Sequence, residues 1–249
     1  MKHVFLSLLL LSSAAAMAQT STQMSETTKD WINSNGMQLH SAGIIWAMSS
    51  AGKAEVLGET YHDTVWAKGN IKFYQSIQPV GGQPVDSIIG LGLRYNVHFN
   101  ELEVMLSTYK DVKAIEGPRI KNFSLEKNGR STLFVNTQEY KTDKPLKGFY
   151  EVLVPGKVQL LHNQRTTVRK PTYNAAMDVG DKHVRIAMNS DYYVLRDGTI
   201  SKLSPTKKGL LQVLGDQADQ INSFLKTNEL DLKNKQDLTR VFEYYNSRL

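Results

Sequence analysis

The sequence predicts an α+β protein, with antiparallel β-meanders forming a sheet or sandwich-like body and a C-terminal cluster of short helices. Three observations predict it. Across residues 66–203 apolar side chains recur with a period of two, in short runs broken by turn residues. Beyond Ser204 the apolar spacing lengthens to that of a helix. Each of those later segments opens on a residue suited to an N-cap.

The N-terminus reads as a secretory signal peptide. Lys2 supplies a positive n-region, residues 4–11 an apolar h-region too short to span a bilayer, and Ala16-Met17-Ala18 an A-x-A cleavage signal. Cleavage is expected between Ala18 and Gln19, leaving 231 of the 249 residues and an exported, periplasmic or secreted protein. Residues 19–29 are polar and rich in Ser and Thr, a disordered leader. Residues 30–57 mix glycines with apolar pieces such as Ile44-Ile45-Trp46, and no clean period chooses between a helix near Trp31 and a strand near Ile44.

The region 58–140 reads as β. Ile71, Phe73 and Ile77 alternate with polar residues, and Gly81-Gly82 with Pro84 interrupt them. Leu91, Leu93, Tyr95 and Val97 form one face of the next strand, and Leu102, Val104 and Leu106 resume it after a turn at Asn100. Glu101 and Glu103 then fall on the opposite face, where solvation is the expectation. Gly117-Pro118 separates two further strands, since no helix tolerates that pair in its interior. Leu133-Phe134-Val135 is another strand.

The region 141–249, which the same continuous sheet can include, begins with a charged linker. Residues 149–154 and 157–161 flank Pro155-Gly156, the sharpest hairpin signal in the chain, and residues 166–170 extend its return strand. Residues 184–188 lead into Tyr192-Tyr193-Val194-Leu195, and Asp197-Gly198 turns the chain to Ile200 and Leu203. Adjacent tyrosines on a strand point to opposite faces, so only one of Tyr192 and Tyr193 can enter a given core. Ser204 before Pro205, Asp216 and Asn234 are the expected caps of three helices. Their apolar faces are Leu210, Leu211, Val213 and Leu214; Ile221, Phe224 and Leu225; and Leu238, Val241, Phe242 and Tyr245.

Several chemistries are excluded or weakened. With no cysteine there is no disulfide, thiolate metal site or cysteine nucleophile. His40, His62, His98, His162 and His183 are more than 20 residues apart and match no local metal motif. Ser50-Ala51-Gly52 has Met48 where a nucleophile elbow needs glycine, and Gly90-Leu91-Gly92 has Tyr95 where a phosphate loop needs its third. No catalytic residue, metal site or cofactor is expected.

Charge is the stronger signal. Residues 140–210 hold 13 Lys/Arg against 6 Asp/Glu, and the chain carries a formal net charge of +6. A basic surface attracts polyanions. Arg165, Arg169, Lys170 and Arg185 are the candidate binding residues, with Trp66 as an aromatic contact. The expected partner is an envelope protein or an anionic glycan or lipid rather than nucleic acid, and no later stretch has the ~20 apolar residues of a transmembrane span.

Two stretches carry a resemblance. Gly58-Glu59-Thr60-Tyr61 with Trp66-Ala67-Lys68-Gly69, Leu93-Arg94-Tyr95-Asn96 and Asn100-Glu101-Leu102-Glu103 form the first. Gly148-Phe149-Tyr150-Glu151-Val152-Leu153, Gly156-Lys157-Val158, Leu160-Leu161 and Phe242-Glu243-Tyr244-Tyr245-Asn246 form the second. From residue 58 onward the chain resembles a family of exported proteins of Bacteroidetes-type bacteria with no established activity. The resemblance implies export and an envelope setting and supplies no catalytic residue. The expectation is a non-enzymatic exported binding protein. The alternatives are a hydrolase of an envelope glycan or peptide, and a sensory accessory that docks through its C-terminal helices.

Overall fold

One long sheet carries the chain. The computed structural model describes residue 32 and residues 55–78, 83–106, 111–142 and 145–249. The expected signal peptide with its Ala18–Gln19 cleavage site, the leader, Trp31 and Trp46 lie outside the described residues. Ile32 is helical and fully buried.

Strands β2 (Ala67–Ile77), β3 (Val85–Asn96), β4 (Glu101–Met105) and β5 (Val112–Glu116) form a first meander. A 3₁₀ turn at Gly117–Arg119, with Pro118 inside it, carries the chain back across to β6 (Ile120–Lys127), which pairs with β2. From there β7 (Arg130–Asn136), β8 (Phe149–Val154), β9 (Val158–Arg169), β10 (Val184–Arg196) and β11 (Thr199–Leu203) each pair antiparallel with the strand before. The expectation of purely antiparallel meanders needs one correction. β1 (Val56–Gly58) lies parallel to the start of β10, so the sheet is mixed. Gly58 makes that approach possible: its φ is +117°, and a Cβ there would sit 2.0 Å from the Ile186 carbonyl oxygen.

Alternation places the core as the sequence pattern requires. Ile71, Phe73, Leu91, Leu93, Tyr95, Leu102 and Val104 are buried together with Phe123, Phe134 and Phe149. Phe123 and Phe134, directly opposed on β6 and β7, stack with centroids 4.6 Å apart, and Tyr95 meets Phe149 edge-on at 5.3 Å. Both residues of the Asp197-Gly198 turn have positive φ, 50° and 76°, which suits the right-handed twist of the β10–β11 hairpin.

Helices α1 (Lys207–Leu214), α2 (Ala218–Thr227) and α3 (Lys235–Asn246) cover the even-numbered face of β9 and β10 at one end. Leu238, Val241, Phe242 and Tyr245 of α3 are fully buried against Val158, Leu160 and Val194. Each contributes roughly 1.5–3 kcal/mol of hydrophobic stabilisation. Asn246 fastens the end of α3 to the sheet. Its side chain donates to the Val158 carbonyl at 2.8 Å and accepts from the Val158 amide at 3.2 Å, groups on an edge that β8 leaves free.

Capping departs from expectation at two helices. Thr206, not Ser204, caps α1, accepting from the Gly209 amide at 3.1 Å. Asp216 caps nothing. A 3₁₀ turn at Gly215–Gln217 joins α1 to α2, and Asp216 accepts instead from the Tyr245 hydroxyl at 2.9 Å. Asn234 caps α3, accepting from the Gln236 and Asp237 amides.

Candidate functional site

β9 and β10, 12 and 13 residues long, outrun their neighbours. β8 pairs with β9 only as far as Asn163, whereas the β9–β10 ladder continues to Arg169 and Arg185. The pair therefore extends as an arm, with β1 along its β10 edge. Beyond the ladder the Thr172 and Tyr173 amides donate to the Asp181 carbonyl, and Asn174 bridges Val179 at the tip.

Register sorts the arm's charges. Odd-numbered residues of β9 and β10 share one face. Arg165, Arg169 and Arg185 therefore lie together, with Arg169 directly opposite Arg185. Arg185 makes an ion pair with Asp181. Arg165 pairs with Asp191 at 2.9 Å, and Asp191 also holds Lys202 at 2.8 Å. Arg169 and Lys170 are exposed and have no acidic partner among the described residues. The fold brings Arg165, Arg169, Lys170 and Arg185 to one arm.

Trp66 belongs elsewhere. Its ring packs on Arg94 of β3, whose guanidinium carbon lies 4.7 Å from the Trp66 ring and 4.2 Å from that of Tyr61. Arg94 donates through Nε and Nη2 to one oxygen of Glu103, Oε2, at 2.9 and 2.6 Å, and the Tyr61 hydroxyl donates to the other, Oε1, at 2.8 Å. Glu103 is 1% exposed and Glu101 is also buried, which corrects the expectation of a solvated face. Tyr61 and Trp66, from the segment between β1 and β2, pack on Arg94 beside Glu103. Burial and the neighbouring Glu103 carboxylate push the Tyr61 phenol up to about 12.

The opposite face of β9 carries a row of histidine contacts that sequence reasoning missed. Successive inward positions 162, 164 and 166 meet three partners. His162 Nδ1 lies 2.8 Å from Glu151 Oε2 on β8, Gln164 Oε1 lies 2.6 Å from His62 Nδ1, and Thr166 Oγ1 lies 2.8 Å from His98 Nδ1. Lys235, the first residue of α3, donates to both oxygens of Glu151 at 2.7 Å. Tyr192 stacks on His162, centroids 5.2 Å apart. Burial alone would raise the Glu151 carboxyl, but the His162 contact and the Lys235 charge outweigh it and hold the group at about 2. Burial lowers His62 despite the pull of Glu151 and Gln164, and it lowers His98 as well.

Lys235 and Glu151 tie α3 to this row. Glu151 accepts from Lys235 through both oxygens and contacts His162 through one. Among the described residues no three His, Asp or Glu side chains could hold a metal ion. No serine hydroxyl is hydrogen-bonded to any of the three histidines among the described residues. Nor is any described helix long and apolar enough to cross a membrane. Compared with protein-family models, curated proteins and solved structures, the chain matches none of them.

Proposed function

We propose that this chain is an exported, non-catalytic protein of the cell envelope that binds a polyanionic partner through the β9–β10 arm. The observation that carries this reading is the Arg169–Arg185 rung. Two like charges directly opposed across a ladder destabilise it. Asp181 relieves Arg185 alone, and Arg169 with its neighbour Lys170 faces solvent. A bound row of anionic groups would convert that local cost into binding energy. From Arg165 to Arg185 the arm holds five Lys/Arg against two Asp, so the excess is local as well as global. The resemblance to exported envelope proteins and the expected signal peptide support the location.

Glu151 with His162 is a poor centre for the hydrolase alternative. A carboxylate held at about 2 by a lysine and a histidine is poorly matched to acid–base work near neutrality. Dextran sulfate, a soluble polyanion, tests the proposal. Binding should weaken steeply with added salt, and Arg169→Glu with Arg185→Glu should abolish it. Binding that ignored both salt and charge reversal would reject it.

A further inference from the structure

The arm ends in apolar side chains. Met177 is 70% exposed, Val179 54% and Val168 41%, while Pro171, Ala175 and Ala176 beside them are exposed too. A soluble polyanion has no use for such a tip. A lipid bilayer does, because its boundary between headgroups and acyl chains accepts apolar side chains flanked by cations.

The tip is held in shape without any ligand. Asn174 bridges Val179 in the backbone, the Tyr173 hydroxyl donates to Asp178 at 2.7 Å, and the Asn174 side chain accepts from the Ala176 amide at 3.0 Å. Lys182 lies over the Tyr173 ring at 4.2 Å and 3.5 Å from Asp178. The acids near the tip are thus each engaged: Asp178 by Tyr173 and Lys182, and Asp181 by Arg185. Tyr173 is of the type that sits at headgroup level, with an apolar ring and a polar end.

Resting on the polyanion reading above, we propose that the partner is an anionic phospholipid bilayer. Met177 and Val179 enter the boundary between headgroups and acyl chains, and Arg169, Lys170, Lys182 and Arg185 hold the lipid phosphates. The dimensions agree. Asn174 lies five residues beyond Arg169, at most about 16 Å at strand rise. Apolar insertion of about 5–10 Å would leave the Arg169–Arg185 rung at most about 6–11 Å above the boundary, comparable to the Debye length of about 8 Å. Lys182 lies nearer the tip, at the depth of the headgroups.

The test uses the chain from Gln19 onward, so that the apolar residues 4–11 cannot themselves bind lipid. Co-sedimentation is measured with phosphatidylglycerol–phosphatidylcholine vesicles and with phosphatidylcholine vesicles, and dextran sulfate binding is measured in parallel. The unchanged chain should partition to the anionic vesicles and not to the neutral ones. M177S/V179S, which removes the apolar side chains without adding charge, should lower partitioning about tenfold or more and leave dextran sulfate binding unchanged. R169E/R185E should lower vesicle binding at least about 25-fold, at about fivefold for each basic residue, and lower dextran sulfate binding as well. In a Met177→Trp variant the indole emission should shift to the blue on anionic vesicles. Both tip positions are exposed, so these variants leave the core intact, and circular dichroism verifies it. Unchanged vesicle binding by M177S/V179S, or no shift from the tryptophan, overturns the bilayer inference while the polyanion reading stands. Unchanged binding of both probes by R169E/R185E overturns the polyanion reading itself.

Discussion

Replacing Glu151 with Gln should remove a defined share of the protein's resistance to acid. The native carboxyl sits at about 2 and its ordinary value is 4.5, so over that window the unfolded chain binds more protons than the folded one. A depressed carboxyl contributes stability that is complete above about 4.5 and is lost as pH falls toward 2. The difference between those two values corresponds to about 3 kcal/mol. The stability gap between the unchanged chain and E151Q should therefore shrink by about 3 kcal/mol between pH 6 and pH 2. Lys235→Met tests the cause. Lys235 is 40% exposed, so its pairing with Glu151 is partly screened, and its loss should cost about 1–2 kcal/mol at neutral pH rather than the 3–5 of a fully buried pair. It should also flatten the acid limb, because Glu151 then keeps only His162. Urea unfolding followed by circular dichroism at a series of pH values supplies each free energy. An E151Q gap that stays constant with pH would refute the reasoning, and so would a K235M limb as steep as that of the unchanged chain.

Three further outcomes follow from the same structure. His62 and His98 are depressed by burial, so they contribute stability above their ordinary pKa near 6.5 that is lost as pH falls below it; H62Q/H98Q should flatten the pH dependence of unfolding between pH 7 and pH 5, and the imidazole NMR titrations of both should run below 6.5. Asn246→Ala leaves the Val158 amide and carbonyl without partners and should lower stability by about 1–3 kcal/mol in denaturant titrations. Gly58→Ala sets a Cβ against the Ile186 carbonyl and should detach β1, read as faster amide hydrogen exchange along Val184–Ile186 with the β9–β10 ladder still protected.

Local periodicity made most of the sheet legible. The faces Leu93–Tyr95–Val97 and Leu102–Val104 are buried as the alternation demanded, and so are Ile71, Phe73 and Ile77. Apolar spacing likewise found the buried side of α3, whose cap Asn234 is local chemistry. Contacts distant in sequence were not legible. Nothing in Glu103 announces that Tyr61 and Trp66 will pack on the Arg94 that binds it, so a buried ion pair read as a solvated edge. A two-residue turn at Pro155-Gly156 would set Glu151 opposite Leu160. The wider turn and the irregularity between Val152 and Val154 set it opposite His162 instead, and that shift creates the histidine row. The parallel pairing of Val56 with Val184 joins segments that no local pattern connects. In the arm, spacing of four put Arg165 and Arg169 on one face, but only the register with β10 brought Arg185 to the same rung.

The central claim is that the arm's basic face binds polyanions. The most direct measurement is the affinity for dextran sulfate as a function of salt, for the chain from Gln19 and for R169E/R185E. The account predicts a steep loss of affinity with salt in the unchanged chain and no measurable binding in the variant, with circular dichroism the same for both. Equal affinities in the two chains, unaffected by salt, would contradict it.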